Sequence, residues 1–460
     1  MSAAKKFDAI IIGCGQAGPP LAGRLTAAGQ TVALIERKLV GGTCVNTGCK
    51  PTKAMVASAY AAHLARTGAD YGVSIGTVSV DMKAVKVRKD KVTRDSRASL
   101  EGWIAGMKGC TLYRGHARFE GPHEVRVGGE LLHGERIFIN VGGRANIPDM
   151  PGIGDIEYLT NTSMMEVDFL PRHLVVVGGS YIGLEFAQMF RRFGSEVTVV
   201  EKGPRLISRE DEEVSEAVKG ILEHEGIKLR LNAECISFAA HPDGVTVGVD
   251  CTSGDRAVTG SHVLLAIGRK PNTDDLGLDK AGVAADKRGN VEVDDQLRTN
   301  VPHIWAMGDC NGKGAFTHTA YNDFEIVAAN LLDNDKRKVT DRIEAYALYI
   351  DPPLGRAGMT EAAARKSGRK VLVGQRPMTR VGRAVEKGET QGFMTILVDA
   401  DTRQILGASV LGTGGDEAIH AVLDLMYAGA PIETLQRAMH IHPTVSELLP
   451  TIAQELKPLA

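Results

Sequence analysis

The chain has no charge imbalance, few cysteines and no long apolar run, and each shortage removes a class of function. Its 460 residues carry 54 basic and 56 acidic side chains, a net charge of −2 that gives no electrostatic case for nucleic acid or an anionic membrane. Seven cysteines, an odd number at ordinary frequency, exclude a disulfide-stapled secreted scaffold and point to a reducing compartment. The run Phe7 to Ile12 meets glycines before a signal peptide or membrane span could form. The expectation is a soluble cytoplasmic protein with neither nucleic acid nor membrane as partner and no resident metal. Low-complexity tracts are missing as well, and the 53 glycines lie among hydrophobic segments, which suits tight strand–helix turns better than disorder.

What is present begins with a repeated unit. Phe7 to Ile12 has the continuous apolar character of a strand buried on both faces, and Gly13-Cys14-Gly15-Gln16-Ala17-Gly18 follows it. Pro19 to Ala28 reads as a helix ended by Gly29, and Thr31 to Ile35 as a second strand closed by Glu36. Gly13, Gly15 and Gly18 would let the backbone approach a pyrophosphate at the helix N-terminus, and Glu36 could accept hydrogen bonds from a ribose. The unit returns with strand Leu174 to Val177, turn Gly178-Gly179-Ser180-Tyr181-Ile182-Gly183, a helix to Phe193, and strand Glu196 to Val200 closed by Glu201. In both copies the acid lies 23 residues after the first glycine, so two dinucleotide sites are expected. In the second, Ser180 replaces the middle glycine and leaves less room than Gly178 and Gly183 do.

Between them lies Gly41-Gly42-Thr43-Cys44-Val45-Asn46-Thr47-Gly48-Cys49-Lys50-Pro51-Thr52-Lys53. A disulfide needs Cα atoms about 4.4 to 6.8 Å apart, whereas five extended residues span roughly 16 Å, so Cys44 and Cys49 bridge only if the backbone coils. Pro51 is tolerated in a first helical turn, which puts Cys49 just before a helix N-terminus whose partial positive charge favours a thiolate. Lys53, four residues on, shares that face. Cysteines at this spacing also bind metals or simply lie near one another, and the stretch by itself leaves these readings open.

Elsewhere, Pro51 to Gly68 and Val80 to Gly106 read as helices, the second with a Lys/Arg run taken as a solvated face. Thr111 to Val141 and Leu229 to Ile267 are β-rich. The second stretch closes in Ala266-Ile267-Gly268-Arg269, with Gly268 a coenzyme-contact candidate, and Val301 to Cys310 is a short strand ending in Gly308-Asp309. After about residue 340, strands (Gly392 to Val398, Ile405 to Leu411) alternate with helices (Asp416 to Tyr427, Ile432 to Met439) without a glycine fingerprint.

Five motifs now stand in order: Gly13 to Gly18, the Cys44–Cys49 stretch through Lys53, Gly178 to Glu185, Ala306-Met307-Gly308-Asp309, and His442-Pro443-Thr444-Val445-Ser446-Glu447. Nearly the whole chain resembles a class I flavoprotein disulfide reductase, the family of dihydrolipoamide dehydrogenase, glutathione reductase and mercuric reductase. The resemblance implies an α/β fold of two Rossmann-like dinucleotide-binding domains plus a C-terminal α+β dimerisation domain. The divisions expected are an FAD-binding domain over 1–148 and 271–340, an NAD(P)-binding domain over 149–270, and an interface domain over 341–460.

It further implies FAD on the first unit, with Glu36 on the adenosine ribose and Asp309 on the ribityl chain, and a nicotinamide coenzyme on the second. Cys49 corresponds to the thiol beside the flavin and Cys44 to the thiol that exchanges with substrate. Lys53 and Glu185 match a buried ion pair near the flavin, and Tyr181 a gating tyrosine. His442 and Glu447 match an acid/base pair supplied by the partner chain, hence a homodimer. An imidazole held by a carboxylate can move the protons that thiol–disulfide exchange requires near pH 7. NADH is favoured over NADPH because Glu201 can bind a ribose 2′-OH and would repel a 2′-phosphate, although Lys202 and Arg205 lie nearby.

Two departures stand out: Val141-Gly142-Gly143 replaces the Ala-Thr-Gly of many members, and the tail Pro458-Leu459-Ala460 has no cysteine pair. Ser446-Glu447 is similar to lipoamide dehydrogenases and Tyr181 to glutathione reductases, so the acceptor expected is a small disulfide of unspecified identity. A mercuric or other soft-metal-ion reductase, and a quinone-directed diaphorase or multienzyme-complex component, are the alternatives.

Overall fold

The computed structural model describes residues 4–234, 236–249 and 255–459; position 235 and positions 250–254 of the expected β-rich stretch, and the last residue of the tail, lie outside the described residues. Three main sheets organise the rest. The first has seven strands in the order Cys110–Arg114, Val32–Glu36, Lys5–Ile12, Glu130–Ile139, Glu124–Val127, Ala117–Gly121, with Ile304–Ala306 also paired to Glu130–Ile139. Its central strands run parallel, and Ala9 to Ile12 are buried, as their unbroken apolar sequence requires of a strand covered on both faces. The second sheet holds four parallel strands in the order Lys228–Arg230, Glu196–Val200, His173–Val177, His262–Leu265. The two sheets are joined where Gly143–Ala145 pairs antiparallel with Arg269–Pro271, at the crossing points of the chain.

The third sheet has six strands, with Ala345–Leu348, Leu354–Gly358, Ile405–Leu411, Phe393–Asp399, Val371–Pro377 and Lys457–Pro458 adjacent in that order and antiparallel. The helix Gly415–Tyr427 covers it. Among the described residues no helix is long and apolar enough to cross a membrane.

One helix positions the site. Cys49–Thr67 buries Met55 together with Ala54, Ala59 and Ala62, whose small side chains allow close packing on the helices Tyr181–Phe193 and Met82–Ala105. Its Met55 and Ala59 share an apolar cluster with Leu174 and Phe190 of the second unit and with Leu348, Leu354 and Leu411 of the third sheet. The dithiol helix thus stands where all three sheets meet.

Two expectations change. The Lys/Arg run on Met82–Ala105 is only partly a solvated face: Lys89 is 3% exposed, donates from Nζ to Met165 O at 2.6 Å and pairs with Asp90. Arg88 likewise donates to Ala54 O at 2.6 Å. Long basic side chains here reach carbonyls of neighbouring elements rather than water alone. The strands Ala345–Leu348, Leu354–Gly358 and Val371–Pro377 add to those read from sequence, the second disguised by a buried arginine, Arg356.

A second buried arginine ties the second glycine-turn unit to the third sheet. Arg192, 6% exposed, donates to Glu225 from Nε at 2.9 Å and Nη2 at 2.7 Å, and to Asp351 from Nη1 at 2.7 Å. Removing it strands two carboxylates, so Arg192→Leu is expected to cost about 3 kcal/mol. A thermal melt indistinguishable from the parent's would show that the pair contributes nothing.

Candidate active site

The two glycine turns are built alike. Gly13 has φ +111° and Gly178 +117°; a Cβ there would stand 2.2 Å from Asn140 O and 2.4 Å from Ala266 O respectively. Gly18 and Gly183, where each helix leaves the turn, would place a Cβ 2.2 Å from Gly13 O and 2.0 Å from Gly178 O. These are demands of the backbone on itself. The acids match too. Glu36 accepts from Cys14 N at 3.0 Å and Lys38 N at 2.8 Å, while Glu201 accepts from Gly179 N at 2.6 Å and Gly203 N at 2.7 Å. Each carboxylate is therefore locked at the end of its second strand, beside its own turn.

Gly15 differs: a Cβ there would meet only Asn140, at 3.4 Å, and would otherwise fill the space before the Gly18–Ala27 helix end. That open cradle beside a fixed Glu36 fits the pyrophosphate and ribose of FAD. Asp309 lies in the same unit, paired with Arg269 at 3.4 Å next to Gly268, and desolvation pushes its carboxyl above the usual range despite that cation. Gly308 N donates to the buried Asp323 at 2.7 Å, which fixes the Gly308–Asn311 turn.

The dithiol stretch is stitched to the first turn. Gly41 N donates to Cys14 O at 2.9 Å, Gln16 Nε2 donates to Gly41 O at 3.3 Å, and a Cβ on Gly42 would lie 2.9 Å from Gly15 Cα. Gly41 and Gly42 have φ of +99° and +60°, so the chain turns sharply into a single helical turn, Gly42–Asn46, before the helix Cys49–Thr67 starts. Here is the coil that the cysteine spacing demands.

Both thiols are free, and the influence of each on the other separates their acidities. The neighbouring Cys49 sulfur, with burial, pushes Cys44 up, while the neighbouring Cys44 thiol, the Thr317 hydroxyl at 3.2 Å and the nearby Lys53 ammonium hold Cys49 down to about 6. Its place at the head of a helix acts in the same direction. Lys53 is held by Glu185, with Nζ 2.9 and 2.8 Å from the two oxygens and 4.5 Å above the Tyr349 ring. Glu185 is 6% exposed and also accepts from Tyr349 N at 3.1 Å.

Cys44, Cys49, Lys53 and Glu185 thus form one cluster. Tyr181 and Ser180 head the helix that carries Glu185. His442 stands apart: its Nδ1 meets Glu447 at 2.9 Å, its side chain is 80% exposed, and among the described residues no hydrogen bond or ion pair links it to the dithiol. Met439 and Ile441 beside it are 97% and 79% exposed, a degree of apolar exposure suited to an interface. Thr317 escaped the sequence reading because it lies 268 residues from Cys49 with no motif to mark it. Among the described residues no group of three or more His, Cys, Asp or Glu side chains could hold a metal ion.

Residues 7–323 match the model of the pyridine nucleotide-disulphide oxidoreductases, and residues 345–453 that of their dimerisation domain. The probable pyridine nucleotide-disulfide oxidoreductase RclA of Escherichia coli (strain K12) is 37% identical, over 96% of this chain and 98% of its own. Dihydrolipoyl dehydrogenase of Thermus scotoductus (33% identical, 98% of each chain) and mercuric reductase of Streptomyces lividans (33%, 97% of this chain and 96% of its own) are similar over the same extent. The solved HOCl-induced flavoprotein disulfide reductase RclA from Escherichia coli superposes with TM-score 0.89 at 36% identity, covering 97% of this chain and 99% of its own. Its Cu(II) complex has TM-score 0.89 and 36% identity, with 98% and 99% covered.

The thiolate assignment is testable by alkylating the reduced protein. The rate should rise around pH 6, and Thr317→Val should move that midpoint up by about one pH unit through loss of one hydrogen bond to the charged sulfur. An unmoved midpoint would remove Thr317 from the site.

Proposed function

The chain belongs to the pyridine nucleotide-disulphide oxidoreductase family, FAD-dependent enzymes that use pyridine nucleotides, and we propose that it reduces a small disulfide with NAD(P)H. The observation that carries this reading is the Cys44–Cys49 pair, neighbouring, unequal in acidity, and tied by Gly41 and Gly42 to the first glycine turn. In it, residues 1–148 and 271–340 make the flavin-binding unit, 149–270 the coenzyme unit and 341–460 the interface of a homodimer. When bound, FAD supplies the two-electron relay between nicotinamide and dithiol.

Gly13, Gly15, Gly18, Glu36, Gly308 and Asp309 hold the flavin nucleotide; Gly178, Ser180, Gly183, Glu201 and Gly268 hold the coenzyme, with Tyr181 at its entrance. Lys53, fixed by Glu185, places a positive charge beside Cys49. In the reduced enzyme, His442 of the second copy takes the Cys44 proton, and Cys44 attacks the substrate disulfide. A mixed disulfide forms and one substrate thiolate leaves, taking the proton back from His442. Cys49, already a thiolate, then attacks Cys44, restores the Cys44–Cys49 disulfide and releases the second thiolate, which takes a proton from the medium. Glu447 orients the imidazole and stabilises its cation. The net change is NAD(P)H, a proton and one disulfide to NAD(P)⁺ and two thiols.

A redox-active or soft metal ion as acceptor is the second reading, supported by the relative solved as a Cu(II) complex. The ordinary cysteine content supports a reducing compartment, the cytoplasm.

Cys44→Ser should abolish disulfide turnover while leaving coenzyme-dependent reduction of a quinone, and co-expression with His442→Ala chains should restore one working site per heterodimer. Equal loss of both activities would count against the division between the cysteines, and no recovery would place the acid/base group within one chain. For the coenzyme, kcat/KM should favour NADH by about tenfold, because Glu201 pairs with a hydroxyl and repels a phosphate. A preference for NADPH would overturn that assignment.

A further inference from the structure

Tyr181 heads the helix after the second glycine turn, and its hydroxyl donates to Glu210 Oε1 at 3.1 Å. Glu210 belongs to a loop bound to that same turn, since Ile207 N donates to Gly179 O and Glu210 N to Ile207 O, both at 2.8 Å. The other partners of the carboxylate come from the third sheet. Tyr346, on the edge strand, donates to Oε1 at 2.6 Å, and Arg356 donates to Oε2 from Nε at 3.0 Å and Nη2 at 2.6 Å. Arg356 also holds Asp211 at 2.7 Å.

The Glu210 and Arg356 side chains are 0% and 2% exposed, so this pair is fixed and desolvated. Tyr181 is only half-buried. Its ring stands edge-on to Tyr346 at 5.5 Å and to Phe316 at 6.3 Å, and Phe316 directly precedes the Thr317 that meets Cys49. Three units therefore converge on one tyrosine.

A buried carboxylate cannot be left without donors, and Arg356 and Tyr346 satisfy Glu210 whatever Tyr181 does. Tyr181 can depart without orphaning its acceptor, which makes the contact reversible. We propose that Glu210, positioned by Arg356 and Tyr346, is a latch on Tyr181 that sets how readily the nicotinamide coenzyme enters; this rests on the reading of Tyr181 as the residue at the coenzyme entrance. The apparent KM for coenzyme is the intrinsic value divided by the unlatched fraction, and one hydrogen bond to a carboxylate shifts such a balance about tenfold. Tyr346 donates to the same oxygen as Tyr181 and so draws on the same charge. The two hydroxyls therefore act with opposite sign: losing that of Tyr181 frees the ring, and losing that of Tyr346 leaves Oε1 to Tyr181 alone.

The test is steady-state kinetics of the FAD-loaded full-length enzyme as Tyr181→Phe, Tyr346→Phe and Tyr181→Ala, varying coenzyme at saturating disulfide and the reverse. Tyr181→Phe, which keeps the ring, should lower the coenzyme KM about tenfold, and Tyr346→Phe should raise it about threefold with the disulfide KM as control. Tyr181→Ala should lower the coenzyme KM at least as far as Tyr181→Phe. If Tyr181→Ala shifts the coenzyme KM and the two phenylalanine variants do not, the latch is overturned and the entrance residue stands. If none shifts it, both fall. Parallel changes in both KM values for Tyr346→Phe would mark a structural loosening and also overturn the latch.

Discussion

The chemistry of this protein depends on a backbone contact: the dithiol segment can approach the first glycine turn only because Gly42 faces Gly15 without a side chain on either. The Gly41–Cys14 hydrogen bond then fixes its register. Everything downstream inherits the position. Cys49 falls at a helix head, Lys53 one turn along, and Glu185 meets that lysine because the Cys49–Thr67 and Tyr181–Phe193 helices pack on small residues. A thiol pair placed by flexible side chains would have no such precision, whereas one placed by turns that only glycine adopts cheaply has few alternatives.

Placement also differentiates two identical side chains. Cys44 and Cys49 differ in acidity because each acts on the other and their surroundings are unequal: the Thr317 hydroxyl, the Lys53 ammonium and the helix end all favour negative charge on Cys49. The two thiols that the sequence singles out are thus electrostatically unequal in this chain. His442 and Glu447, by contrast, form a competent pair with nothing of their own chain to act upon among the described residues.

How much was legible in the sequence follows the range of each interaction. The glycine turns, their acids at constant spacing and the coiled dithiol are local, so their residue types and spacing declare them. The seven-stranded and four-stranded sheets follow from apolar runs such as Ala9 to Ile12 and Leu174 to Val177, where burial on both faces leaves no ambiguity of period. Thr317 and Glu210 were invisible because their partners lie far off along the chain and each is an ordinary residue in its own neighbourhood. Leu354–Gly358 was hidden for the opposite reason: Arg356 looks like a surface residue, and its ion pairs with Glu210 and Asp211 make its burial tolerable. Lys89 misled similarly, since a lysine satisfied by a carbonyl reads in sequence like one in water.

The strand Glu130–Ile139 is flanked on one edge by two partners in succession, the hairpin strand Glu124–Val127 along its first half and Ile304–Ala306 along its last. Between those two partners in the chain lies the whole four-stranded sheet. During synthesis the first sheet accordingly waits with part of an edge uncovered while the ribosome delivers more than a third of the polypeptide. The inserted unit, whose strands are contiguous, can fold first. The last strand to join also brings the Gly308–Asn311 turn with Asp309, so completing the sheet and seating that turn beside Arg269 are a single event in the life of the nascent chain.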